Sequence, residues 1–120
     1  MSVRPASSTR EPEEVRAPSL VRPAILVLLR EQESHGYELM SRLAELGVVV
    51  PTMGQLYRLL RTMANEGLVS SYWGAADRGP APRVYAITEV GEQHLEQSLP
   101  SVERLLQTVW EVINHYRQGG

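Results

Sequence analysis

The chain contains no cysteine. That excludes disulfides, thiolate metal sites and cysteine nucleophiles. Lysine is absent too, and all 12 basic residues are Arg. A GC-rich genome accounts for this without a functional reason. No apolar run approaches the roughly 18 residues a membrane-spanning helix needs. The run Ala24–Leu29 is too short, and too far from the start, for a signal peptide. A cytoplasmic protein with no membrane partner is expected. The sequence also lacks a Gly-rich phosphate loop, a pair of carboxylates in a plausible cleft, and a nucleophile with a nearby base. His35, His94 and His115 have no metal-ligand spacing. No enzyme, cofactor or metal site is expected.

What is present suffices for one domain: 120 residues, 42% of them hydrophobic. The net charge is −2, but it is unevenly spread. Residues 20–88 hold seven Arg and six acids, whereas residues 89–120 hold two Arg and five acids. The acids gather in the tail. Overall charge is therefore a weak argument against a nucleic-acid partner, because local charge sets phosphate contacts.

The stretch Pro51–Val69 reads as one helix with both ends marked. Thr52 is a good N-cap, and Gln55 three residues on completes a capping box. Gly67 suits the left-handed position that ends a helix, with Leu68 beside it for the accompanying hydrophobic contact. Leu56, Leu59, Leu60 and Met63 recur at helical spacing and form a buried face. The other face carries Gly54, Tyr57, Arg58, Arg61 and Asn65, and the helix's only acid, Glu66, lies at its far end. A helix with a packed back and such a front is shaped for the DNA major groove.

The rest of the chain frames that helix. Residues 1–18 have almost nothing to bury and read as a disordered N-terminal arm, neutral with three Arg and three Glu. Leu20 to Gln32 is a first helix, apolar on more than one side, with Pro23 in or near its first turn. A second helix starts at Ser34 or His35 and ends at Gly47, with Leu39, Met40, Leu43 and Leu46 inward. His35 is a structural residue at that helix start. The link Val48–Pro51 then leads into the organising helix, making a helix-turn-helix. Leu68–Trp73 and Arg83–Thr88 are β-prone and flank a Gly/Pro-rich loop with Arg78 near its tip. They form the wing of a winged helix, with Arg78 and Arg83 as its DNA contacts. A last helix starts after Thr88 and runs as one bent element through Pro100. Its apolar residues Leu95, Leu99, Val102, Leu106, Val109, Ile113 and Tyr116 alternate spacings of 4 and 3. That heptad seam predicts a partner helix from a second chain.

The run H-G-Y-E-L (His35–Leu39), L-Y-R-L-L-R-T-M-A-N-E-G-L-V (Leu56–Val69), S-S-Y-W-G (Ser70–Gly74) and R-V-Y-A-I-T-E-V-G (Arg83–Gly91) resembles the PadR family of bacterial transcriptional regulators. The single C-terminal helix is similar to that family's smaller subgroup. The resemblance implies a homodimeric winged-helix repressor whose C-terminal helices pack against the partner, often on its first helix. It implies release from DNA by a small molecule, often aromatic, near the dimer interface. It carries a phosphate-contacting Tyr onto Tyr57 and the wing's basic positions onto Arg78 and Arg83. The Trp that stacks flat drugs in some members falls on Val102 here, and Trp110 lies about two helical turns further on.

Each feature also has a plainer reading. Arg58 and Arg61 could be an ordinary solvated face, but in this setting they are expected to reach bases or phosphates. Tyr57 either closes the core edge or meets a phosphate. Gln55 divides between capping and base contact, and Gly54 is a gap for close backbone approach. Trp73 and Trp110 are core, interface or ligand platform.

The expected fold is therefore mainly α (α+β). Residues 19–88 form a winged helix-turn-helix DNA-binding domain, and residues 89–118 a long C-terminal dimerisation helix. The expected DNA contacts are Gly54, Gln55, Tyr57, Arg58, Arg61, Arg78 and Arg83. The expected dimer seam is Leu95, Leu99, Val102, Leu106, Val109 and Ile113, and the expected ligand-facing residues are Val102, Leu106 and Trp110. The expected partners are a second copy, double-stranded DNA with a pseudo-palindromic operator, and a small aromatic effector. The alternative is a winged-helix protein-interaction module that does not read DNA.

Overall fold

The computed structural model describes residues 18–119. The expected N-terminal arm lies outside the described residues, except for Pro18, which opens the first helix. The elements in order are α1 (Pro18–Glu31), β1 (Ser34–His35), α2 (Gly36–Glu45), α3 (Met53–Asn65), β2 (Val69–Trp73), β3 (Arg83–Ile87) and α4 (Glu89–Gly119). This is a winged helix with a long C-terminal helix.

Helix α1 begins two residues earlier than its periodicity suggests. Pro18 suits a first helical position, where the missing N–H has no partner to lose. Pro23 then falls in the second turn, not the first, and its ring removes one bond of the helical ladder. Burial explains why the helix tolerates this. Ile25, Leu26, Leu28 and Leu29 are all buried, and α1 packs against α2, β3 and α4.

Both helices of the helix-turn-helix are closed by matching caps. The Glu38 N–H donates to His35 Nδ1 at 3.3 Å, which starts α2. At its end Gly47 takes φ 83°, Gly47 N–H donates to Ala44 O, and Val48 N–H to Leu43 O, both at 2.9 Å. Helix α3 repeats the scheme. The Gln55 N–H donates to Thr52 Oγ1 at 3.1 Å, Gly67 takes φ 80°, and Leu68 N–H reaches back to Met63 O at 2.9 Å. These are left-handed C-terminal closures that satisfy otherwise orphaned carbonyls. Leu46, expected inward, is instead the C-cap of α2 and is exposed. The inner face of α2 is Leu39 and Leu43, with Met40 partly buried. Leu56, Leu60 and Met63 of α3 close on them, all fully buried.

The sheet has three strands in the order β1-β3-β2, all antiparallel. Strand β1 is the element that the sequence reading lacked. Ser34 pairs with Tyr85 and His35 with Val84. Ser34 is buried yet satisfied, with its hydroxyl facing Gln32 O and accepting from Arg42. Arg42 also donates to Gln32 O at 2.9 Å and to Leu28 O at 2.8 Å, capping the C-terminal end of α1 from α2. Arg42→Ala should therefore cost about 2 kcal/mol, the scale of charged hydrogen bonds lost to partly buried carbonyls. Urea denaturation at fixed protein concentration measures it, and a midpoint unchanged with the same slope would refute the capping role.

The wing is the β2–β3 hairpin, in register from Val69↔Ile87 to Trp73↔Arg83. Gly74 N–H donates to Pro82 O at 2.7 Å and closes the base of its loop. Tyr72 donates to Glu33, tying the wing to the α1–β1 link. That hydrogen bond to the Glu33 carboxylate pushes the Tyr72 phenol above its ordinary pKa.

The junction into α4 is closed by several hydrogen bonds around Thr88. Thr88 is the N-cap: its Oγ1 accepts from Gly91 N–H at 2.9 Å. The same hydroxyl lies 2.6 Å from Gly67 O and 3.0 Å from Leu68 O, and Thr88 N–H donates to Leu68 O at 3.1 Å. Helix α4 then runs through Pro100 as a single 31-residue element.

Candidate nucleic-acid interface

The back of α3 is sealed and its front is open. Gly54, Gln55, Arg58 and Arg61 are all exposed. A Cβ added at Gly54 would meet only Thr52 Oγ1 among the described residues, at 3.8 Å, so none of them requires glycine there. Among the described residues Arg58 and Arg61 make no side-chain hydrogen bond or ion pair. Glu66 is occupied, by contrast: it pairs with Arg22 of α1 and pins the C-terminal end of α3. Of the capping box, only the half in which Thr52 accepts is formed, and the Gln55 side chain has no partner among the described residues.

Tyr57 takes the first of its two expected positions, closing the edge of the core. Its ring is packed at the edge of the core, over the first residue of α2. A Cβ at Gly36 would lie 2.6 Å from Tyr57 Oη and 2.7 Å from Cε1, so the glycine of H-G-Y-E-L makes room for this phenol. The hydroxyl is held at the start of α2, where free backbone N–H groups gather partial positive charge.

The two wing arginines differ. Arg78 is exposed in the loop, one residue before Gly79 at φ 70°. Arg83 is already engaged: its guanidinium lies 4.2 Å from the centroid of the Trp73 ring, and Nη1 donates to Ser71 Oγ at 2.7 Å. Trp73, expected in the core, at an interface or as a ligand platform, is 65% exposed with Arg83 stacked on it. Sequence reasoning missed this pair because the two residues meet only through strand register. Tyr85 joins wing to helix. Burial pushes its phenol above the ordinary pKa, while Arg83 pulls it back, Tyr57 raises it and Arg61 lowers it.

The long helix departs from the expected seam at one end. Leu95 is only 7% exposed and belongs to the chain's own core, so the seam open to another molecule begins at Leu99. Beyond it Leu99, Leu106, Val109 and Trp110 are exposed, and Val102 and Ile113 half-buried. A groove of about 530 Å³ runs between α1 and α4, lined by Val27, Arg30, Glu92, Leu95 and Leu99 among others. Arg30 Nε donates to Glu92 Oε1 at 3.2 Å within it. The expected ligand-facing residues Val102, Leu106 and Trp110 do not line it. Among the described residues no group of three or more His, Asp or Glu could hold a metal ion, and no helix is long and apolar enough to cross a membrane.

A capped, basic-fronted second helix beside a hairpin wing defines a winged-helix DNA-binding protein. The comparisons agree. Residues 25–97 match the family described as transcriptional regulator PadR-like. The chain belongs to the PadR-like family of transcriptional regulators, whose members bind DNA. It is similar in structure to a PadR-like transcriptional regulator from Bacillus cereus, with TM-score 0.70 and 29% identity, covering 80% of this chain and 93% of that one. It is also similar to a putative transcriptional regulator from Thermoplasma acidophilum, with TM-score 0.70 and 29% identity over 79% and 91% of the two chains. A conserved protein of unknown function, described as a potential transcriptional factor, shares 34% identity with TM-score 0.65, over 88% of this chain and 99% of that one. No curated protein matches the sequence.

Proposed function

We propose that the protein is a homodimeric repressor that reads a pseudo-palindromic operator and leaves it when a small aromatic effector binds. It works in the cytoplasm. Residues 19–88 form the DNA-reading unit and residues 89–118 the dimerisation helix. The observation that carries the reading is the pair Arg58 and Arg61, uncommitted on the exposed front of a helix whose back buries Leu56, Leu60 and Met63 completely and Leu59 in part. Arg58 and Arg61 contact base edges or phosphates, Gly54 leaves a gap for close backbone approach, Gln55 contacts a base edge, and Tyr57 meets a phosphate. Arg78 and Arg83 grip the flanking DNA from the wing. The two recognition helices of the dimer lie about one helical turn of DNA apart, roughly 34 Å.

The dimer seam is Leu99, Val102, Leu106, Val109 and Ile113. The effector binds beside it, at Val102, Leu106 and Trp110. Release is geometric: a change in the angle between the two C-terminal helices changes the spacing of the recognition helices. Helix α1 supports this route, because Arg30 pairs with Glu92 of α4 and Arg22 with Glu66 at the end of α3. A displacement of α4 is thus relayed by one element to the reading helix.

The test is a mobility shift on the DNA upstream of the protein's own gene, across a salt series and with aromatic compounds added. A salt-sensitive shift reversed by a compound supports the whole reading. Absence of a shift at low salt, there and on wider genomic DNA, would favour a winged-helix interaction module. Within a bound complex, Arg58→Ala should weaken operator binding by about 1–3 kcal/mol and relax specificity at one position. Unchanged operator affinity would remove Arg58 from the interface.

A further inference from the structure

Trp73 has no role in the function proposed so far, yet it is a large aromatic left 65% exposed on a small wing. Its environment is specific. Trp73 and Arg83 are directly opposed in the antiparallel register, and Ser71 is two residues along the same strand. Residues two apart share one face of a strand, so Ser71, Trp73, Arg83 and Tyr85 all project from one side of the sheet. That is the side on which Val69 and Tyr85 are buried against the helices. The face therefore begins in the core, beneath α3, and continues outward along the wing.

On this face the Arg83 guanidinium is held at two points. Its central carbon Cζ lies over the Trp73 ring, 4.2 Å from the centroid and well inside the range of a cation–π contact. Nη1 donates to Ser71 Oγ at 2.7 Å. A guanidinium has five N–H donors in a rigid fork, and the others have no partner among the described residues. An unrestrained Arg loses much rotamer freedom when it grips a phosphate. One already held over a ring and hydrogen-bonded loses less, so it binds more tightly for the same contact.

We propose that Trp73 is a positioning residue: with Ser71 it pre-organises Arg83 on the wing so that the free edge of the guanidinium meets a DNA phosphodiester. This rests on the DNA-binding reading above and adds to it a residue that acts on DNA only through Arg83. The ligand is the backbone phosphate, so the effect is independent of sequence.

The experiment uses the full chain and a mixed-sequence DNA duplex titrated with salt. Arg83→Ala should weaken binding and lower the salt slope by about 0.9, the share of one phosphate. Trp73→Leu keeps an apolar side chain but removes the ring. It should weaken binding about two- to fivefold, the scale of an exposed cation–π contact, with the salt slope retained. Trp73→Phe should restore most of the loss. In the double variant Trp73→Leu/Arg83→Ala, binding should equal that of Arg83→Ala alone, because the tryptophan then has nothing to position.

Equal losses from Trp73→Leu with and without Arg83 would overturn the proposal and make Trp73 a direct DNA contact, such as a wedge between base steps. Unchanged affinity in Trp73→Leu would remove any role. Arg83→Lys decides the matter even if Trp73→Leu fails to fold. It keeps the charge but not the flat fork, and should cost the same two- to fivefold with the slope retained. Wild-type affinity in that variant would overturn the proposal. A wild-type protein that binds no duplex at low salt sinks the DNA reading and this inference together. An additive cycle in a protein that does bind sinks only the inference.

Discussion

Gly91→Ala should destabilise the protein by about 3 kcal/mol or more, although the same exchange inside an exposed helix gains about 1 kcal/mol. The sign inverts because of what the new methyl meets. A Cβ at Gly91 would lie 2.1 Å from the Leu68 carbonyl oxygen, 3.1 Å from its carbon and 2.8 Å from Ile87 Cγ1. The first of these is backbone and cannot rotate away. It is also fixed from the other side, since Leu68 O accepts from Thr88 N–H and lies 3.0 Å from the Thr88 hydroxyl. Relief would require the first turn of α4 to leave the wing and take the Thr88 cap with it. Against a total stability of about 5–15 kcal/mol for a small domain, that is a large fraction. Thermal unfolding at fixed protein concentration should show a midpoint lower by more than about 10 °C. A variant that melts with the wild type would mean the α4–wing junction is far looser than its geometry. The conformation of Gly91 itself is ordinary; only Gly47, Gly67 and Gly79 among the described residues take positive φ.

Gly91 illustrates what the sequence does and does not reveal. Local signals were legible because they are written in neighbouring residues. Thr52, Gly47, Gly67 and Thr88 each mark a helix end through bonds spanning only a few positions: Thr52 and Thr88 are N-caps, and Gly47 and Gly67 take the left-handed position just past the C-caps Leu46 and Glu66. The two wing strands were legible from β-branched and aromatic content and from the Gly/Pro loop between them. Strand β1 was not, since two residues are too short to display an alternation. Its existence depends on Ser34 meeting Tyr85, 51 positions away by the register. The same holds for Arg42 on the carbonyls of α1, for Arg22 with Glu66, and for Arg83 on Trp73. Each is a tertiary event between residues whose types alone suggest a solvated surface. Leu95 shows the limit of periodicity. It keeps perfect heptad phase with Leu99 and Val102, yet the phase states only which side of the helix it is on. Whether that side meets α1 of its own chain or a second molecule depends on where the globular part ends, and it ends between Leu95 and Leu99.

That boundary makes the seam testable apart from the fold. Leu106 is 69% exposed in the single chain and lies outside its core. Leu106→Asp should therefore leave the protomer folded, with wild-type helix content. Its effect falls wholly on association. A symmetric dimer carries the substitution twice at one self-complementary interface. Each copy forfeits the burial of a leucine, about 1.5–3 kcal/mol, and places a carboxylate where desolvation costs several more unless it is protonated. Together these should raise the dimer dissociation constant by more than about a thousandfold, since every 1.4 kcal/mol is tenfold. Sedimentation should find monomer for the variant, against the dimer proposed for the wild type. Operator affinity should collapse in parallel, because two linked reading helices gain an effective concentration that separate ones lack. Leu95→Asp supplies the contrast: it buries a charge in the chain's own core and should unfold the protomer itself. A folded Leu106→Asp protein that still sediments as a dimer would move the interface off the seam. Leu106→Asp monomers that retain full operator affinity would instead separate dimerisation from DNA reading and dismantle the spacing mechanism of release.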